Sequence, residues 1–163
     1  MIVKGTVVET ADGRRKVETL RVGDVIPTLT SGNQQIAWIS SRTVSAGGAM
    51  APVIFRAGAI GNTSDLIVSP QHLLMPLKLP PSSKPNLGAL IRASELLNDE
   101  DVLLMTSASI TYFHFMFAEN ELVNTNGVPS CFVNPHADPV CQGAWLPALD
   151  RPETIGNAIH KLN

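Results

Sequence analysis

Ser69 and His72 stand three residues apart around a proline, in the stretch Ser69-Pro70-Gln71-His72. Apolar runs flank them, residues 66–68 before and 73–74 after, and read as strand ends buried in a core. Pro70 fixes its own φ and donates no backbone hydrogen bond, so the strand must bend there. The bend holds a hydroxyl and an imidazole close together. Imidazole changes charge near neutral pH and can give or take a proton during a reaction. The competing structural reading is that Ser69 and His72 satisfy each other and the backbone at the bend. A second set, Cys131, His136 and Cys141, reads Cys-x4-His-x4-Cys. That is not a standard zinc spacing, and a fourth ligand would have to come from elsewhere, such as His160. The two cysteines are open to pairing, to staying reduced and to binding a metal. The chain contains no Gly-x-Ser-x-Gly elbow, phosphate loop or dinucleotide fingerprint.

The elements that must position these residues are strands. The chain has 163 residues, enough for one domain with a real core, and 44% of them are hydrophobic, so it is expected to fold. Charged residues make up 16% and the net charge is -2, which argues against a non-specific nucleic-acid or anionic-membrane binder. Twelve glycines and twelve prolines break the text into short segments, the pattern of a β-rich domain. Residues 5–10 are strand-like, and Asp12-Gly13 and Asn126-Gly127 are tight-turn signals. Val17 and Leu20 would share one side of a single helical turn. Residues 34–44 read as a strand carrying Ile36, Trp38 and Ile39 inward, and residues 52–60 as another. Residues 76–88 form a Pro-rich loop, and residues 90–97 one or two helical turns. The longest uncharged run, residues 102–118, falls short of a membrane span and carries Thr, Ser and His. It reads as two buried strands with a turn near residues 107–109. Asp150-Arg151-Pro152-Glu153 starts a short C-terminal helix, with Ile155, Ile159 and Leu162 at helical spacing. The N-terminus has no apolar stretch of the kind a signal peptide needs.

The order of these features resembles the start of Hint domains, the Hedgehog/intein family, and is closest to the bacterial Hint group. That group usually opens Cys-x-x-x-Gly-Thr, followed by Thr-x-x-Gly and Val-Glu-x-Leu-x-x-Gly-Asp. Here the text runs Met1-Ile2-Val3-Lys4-Gly5-Thr6, then Thr10, Asp12-Gly13, Val17-Glu18, Leu20 and Gly23-Asp24. The likeness continues through Gln35-Ile36-Ala37-Trp38-Ile39, residues 52–61 and the block 65–72. It resumes at Tyr112-Phe113-His114 and at Asn126-Gly127-Val128-Pro129-Ser130. It implies an all-β, horseshoe-like fold of bent strands over residues 1–132. Residues 133–163 lie outside the likeness and are expected to form an irregular tail ending in the short helix, packed on the same domain.

The resemblance also implies a chemistry. In the family an N-terminal thiol attacks the carbonyl just before it, and the peptide bond becomes a thioester. The block His protonates the departing amine, and the Thr or Ser beside it helps polarise the amide. By resemblance Ser69 and His72 fill those roles, and His114 lies near the site without an assigned role. The substrate is the N-terminal flanking polypeptide, cut in cis. No cofactor, metal, nucleic acid or membrane segment is implied.

The sequence departs from the family at its most reactive position. Gly5-Thr6 puts Met1 in the nucleophile's place, and a thioether has no S–H for the acyl shift. No scissile bond precedes Met1, so the chain as written is expected to be inactive. Ala118 and Asn120 stand where relatives often carry Asp and His. Asn163 is preceded by Leu162 rather than His, so splicing is not read from it. Three accounts stand open: a degenerate relative, a domain altered or cut at its first residue, or a fragment with a misassigned start. The alternative function is a non-catalytic Hint-like interaction or structural module, within a larger secreted or cell-surface protein.

Overall fold

Short β-branched and aromatic runs, cut by Gly, Asn and Asp, become antiparallel strands. The computed structural model describes residues 1–79 and 88–135. In chain order the strands are β1 (Ile2–Val3), β2 (Val7–Thr10), β3 (Gly13–Lys16), β4 (Val25–Thr28), β5 (Gly32–Gln35), β6 (Trp38–Ala46) and β7 (Val53–Phe55). They continue with β8 (Leu66–Val68), β9 (Leu73–Leu74), β10 (Ile91–Arg92), β11 (Val102–Leu104), β12 (Ser107–Met116), β13 (Glu121–Thr125) and β14 (Val128–Phe132). The described helical segments are single 3-10 turns at Val17–Thr19, Gly48–Met50 and Ala93–Leu96. The architecture is all-β. The C-terminal helix expected from Asp150 onward lies outside the described residues.

The strands form two sheets. One runs β11-β7-β8-β1-β12-β6, and the other β10-β9-β14-β13-β2-β3, with β4 paired to β13 and to β5. Strand β1 is only two residues long, yet it lies in the middle of its sheet. Ile2 pairs with Val68 of β8 on one side and Phe113 of β12 on the other. Strands β6 and β12 form the longest ladder, from Ser107 opposite Ala46 to Met116 opposite Trp38, with a register shift between Ser107 and Ile110.

The main core lies between the sheets and takes side chains from both. Ile2, Phe55, Leu66, Val68, Phe115 and Phe132 are fully buried there. Each such side chain contributes about 1.5–3 kcal/mol on leaving water. Val17 and Leu20 both reach this core, as their spacing requires. Trp38 does not face inward as the sequence implies: it is 44% exposed, while Ile36 is buried. The cause is a break at Ala37, whose N–H donates to the Met116 carbonyl. That separates β5 from β6 and resets the alternation. The strand expected over residues 52–60 ends at Phe55. Buried Asn62 takes over there, its Nδ2 donating to the carbonyls of Phe55 (3.2 Å), Arg56 (2.9 Å) and Ser64 (2.8 Å). These bonds turn the chain and leave no ladder to continue.

Candidate functional site

The bend foreseen at Pro70 is a tight turn. The His72 N–H donates to the Ser69 carbonyl at 2.9 Å, closing the loop between β8 and β9. The far side is pinned by the 3-10 turn after β10, where the Ala93 and Ser94 N–H groups donate to the carbonyls of His72 and Pro70. Ser69 and His72 are therefore held by backbone bonds on both flanks, and both are buried.

The turn wraps around residue 1. The Met1 nitrogen donates to Ser69 Oγ at 3.2 Å and lies 2.9 Å from His72 Nδ1. In return the Ser69 N–H donates to the Met1 carbonyl at 2.9 Å. Residue 1 thus continues the β1–β8 pairing and delivers its nitrogen to both side chains. The side chains of Ser69 and His72 do not bond each other. They share a third partner, which is the nitrogen whose bond an acyl shift would break.

A cavity of about 220 Å³ opens over these atoms, lined by Met1, Ser69, His72, His114 and Cys131 among others. His72 Nε2 and His114 Nδ1 are buried on it without a hydrogen-bond partner among the described residues. Phe132 supports both rings. It meets His72 edge-on at 5.6 Å and stacks with His114 at 6.2 Å, and its other contact is a close stack on Phe115 at 3.9 Å. Trp38 stands edge-on to His114 at 6.1 Å, on the outer side.

Burial governs the electrostatics. It pushes the His72 imidazole well below its ordinary value, with the Met1 nitrogen's charge and His114 adding to the shift. The Met1 nitrogen, as a free amine, is itself lowered to about 5 by burial, with Cys131 opposing. At pH 7 that amine is neutral, so burial is the cause that counts for His72. His114 is lowered as well, by burial first and by the Met1 charge second, with the Val133 backbone opposing. Burial pushes the Cys131 thiol up to about 12; the Met1 charge opposes the rise and Glu121 adds to it. At neutral pH the site therefore holds two neutral imidazoles and a protonated thiol.

Of the residues singled out in the sequence, Met1, Ser69, His72 and His114 come together here. Cys131 joins them, which its spacing to His136 and Cys141 did not indicate. It is a free, buried thiol, while His136, Cys141 and His160 lie outside the described residues. Among the described residues no group of three or more His, Cys, Asp or Glu side chains is placed to hold a metal. Phe132, the ring beneath both histidines, is also unforeseen. Its one sequence signal is its place directly after Cys131.

The family model described as Hint domain matches residues 2–134. The chain belongs to the Hint domain family. Solved structures share this fold at low sequence identity. The MchDnaB-1 intein superposes with a TM-score of 0.52 at 14% identity, covering 82% of this chain and 100% of that one. The Msm DnaB1 intein splicing domain, solved with zinc bound, gives 0.52 at 12% identity, covering 82% of this chain and 100% of its own. The bacterial intein-like domain from Clostridium thermocellum gives 0.51 at 13% identity, covering 82% and 97%. No curated protein matches the sequence. In this Hint domain no helix among the described residues is long and apolar enough to cross a membrane.

Proposed function

We propose that this Hint domain is of the autoprocessing type and acts on a polypeptide joined to the nitrogen of residue 1. The observation that carries the reading is the grip on that nitrogen by Ser69 Oγ at 3.2 Å and His72 Nδ1 at 2.9 Å. In the step, a thiol on residue 1 attacks the preceding carbonyl carbon. A C–S bond forms and the C–N bond breaks. The proton on His72 Nδ1 passes to the released nitrogen while the thiol's proton is taken up at His72 Nε2, so the ring is neutral before and after, and water or another nucleophile then opens the thioester. Ser69 holds the amide N–H in line while this happens. His114 lines the same cavity. With Met1 in the first position there is no S–H, so the chain as written is expected to be silent.

The test is the intact mass of a fusion with a small reporter placed directly before residue 1. Met1 as given and Met1→Cys are compared, each with and without a small thiol. Release by the Met1→Cys version alone, stopped by His72→Ala, supports the reading. If neither version cleaves though both are folded, the non-catalytic interaction module takes its place. If the Met1 version cleaves and Cys131→Ala stops it, the nucleophile is the cavity thiol rather than residue 1.

A further inference from the structure

We propose that the outer face of β2, β3 and β13 is a docking site for an extended, acidic segment of polypeptide. The Asn124 amide would bond its backbone, and Lys16 and Arg14 would meet its carboxylates. A depression of about 360 Å³ lies there, and it shares no lining residue with the Met1 cavity. That volume is in the range of sites that hold small ligands or a short piece of peptide.

The registers place the chemistry. Thr125 of β13 pairs with Val8 of β2, and Val8 pairs with Arg15 of β3. Side chains alternate along a strand, so the neighbours of these three share the opposite face. One row across that face is Asn124, Glu9, Arg14, and the next is Asn126, Val7, Lys16. All six line the depression. Asn126 is already committed: its Oδ1 accepts from the Val7 N–H at 2.7 Å and its Nδ2 donates to the Asp65 carbonyl at 2.8 Å. Asn124 is not. It is only 4% exposed, and its Oδ1 has no partner among the described residues. A buried amide left unmet is costly, so one on a cavity wall points to a ligand that completes it. Its acceptor and its donor match the N–H and C=O of a peptide unit.

The charges select the kind of peptide. The chain carries a net charge of -2, yet two cations, Arg14 and Lys16, share this face, while Arg15 between them turns to the other. Arg15 is held by Asp24 at 2.9 Å. Glu9 is the one carboxylate on the wall, and Arg14 covers it at 3.6 Å. Lys16 makes no salt bridge among the described residues, and its charge acts on half-buried Glu18. The excess is positive, which favours a ligand bearing carboxylates. The opposite wall is fixed in advance. The Thr63 N–H and hydroxyl both donate to the Asn126 carbonyl, at 2.8 and 3.1 Å. A Cβ at Gly127 would sit 2.9 Å from Thr63 Cγ2, so only glycine lets that wall close.

The experiment is a titration of the whole isotope-labelled chain with a capped peptide of alternating glutamate and valine, followed by amide NMR. Two comparison ligands are the same peptide with glutamine for glutamate and a short single-stranded oligonucleotide. The expected result is a saturable shift of the Asn124 side-chain and Gly127 backbone signals with the acidic peptide. Lys16→Glu, an exposed change that leaves the core intact, weakens it by about tenfold. The isosteric Asn124→Asp weakens it as well, by setting a negative charge where the peptide's carboxylates arrive. The proposal is overturned by a folded chain that shows no saturable shift, or by equal binding of the glutamine peptide. Tighter binding of the oligonucleotide at the same signals would also overturn it, in favour of a nucleic-acid face.

Discussion

His72 is buried and neutral, and that makes it sensitive to acid. Its folded-state value lies well below the ordinary 6.5. A cation-forming group depressed in this way stabilises the fold above its unfolded value, and the contribution is lost as pH falls below 6.5 and through the folded value. The limiting slope is about 1.4 kcal/mol per pH unit for one proton. Cys131 works at the other end. Burial raises it from 9.0 to about 12, so its contribution is complete below pH 9 and is lost as pH rises through 12. Urea melts between pH 4 and 8 are expected to show stability declining toward acid, and His72→Gln, which cannot titrate, is expected to flatten that decline. An unchanged slope in the variant would remove His72 as the sensor. The Ser69–His72 pair was legible in the sequence because a proline between two apolar runs marks a bend. Its partner, the Met1 nitrogen, was legible only through family likeness, since no periodicity links positions so far apart in the chain. The place of Cys131 in the site was not legible either: spacing along the chain says little about which side chains meet across sheets.

At the scale of elements, the β13–β14 hairpin fixes more than itself. Its two-residue turn places Asn126 at φ 47° and Gly127 at φ +90°, the geometry for which Asn-Gly is suited. The same turn braces Thr63 and, through the Asn126 amide, Val7 and Asp65. Gly127→Ala meets both a left-handed backbone and the Thr63 methyl at 2.9 Å. It is expected to cost about 1–3 kcal/mol, read as a lowered thermal midpoint. Exposed positions with ordinary backbone, such as Ser41, are expected to tolerate alanine with little change. This turn was plain in the sequence. The end of β7 and the outward Trp38 were not, because each depends on a hydrogen bond that local composition does not announce. Asn62 looks like an ordinary turn residue until its amide is seen collecting three carbonyls. Ala37 looks like part of one strand until its N–H is seen bonding Met116.

On the scale of the whole molecule, Phe132 joins the core to the site. Its stack on Phe115 belongs to core packing, and its contacts with His72 and His114 belong to the candidate site. Phe132→Ala is expected to cost about 3–5 kcal/mol in denaturant unfolding. In the Met1→Cys fusion it is expected to slow release even where the fold survives, since both imidazoles lose their support. Phe132→Leu should recover most of the stability and less of the rate. The fold class was legible from the strand pattern and the family likeness. The central place of β1 was not, because two residues are too few to show a period. That placement also sets a schedule. Residue 1 is made before the rest of this domain, but its strand waits for Val68 and Phe113, and its cavity for Cys131 and Val133. Until the ribosome has delivered that last stretch, the cavity around the Met1 nitrogen is incomplete. Under the proposed reading, a polypeptide joined ahead of residue 1 would emerge and have time to fold before the site closes, so the topology would act as a delay timer.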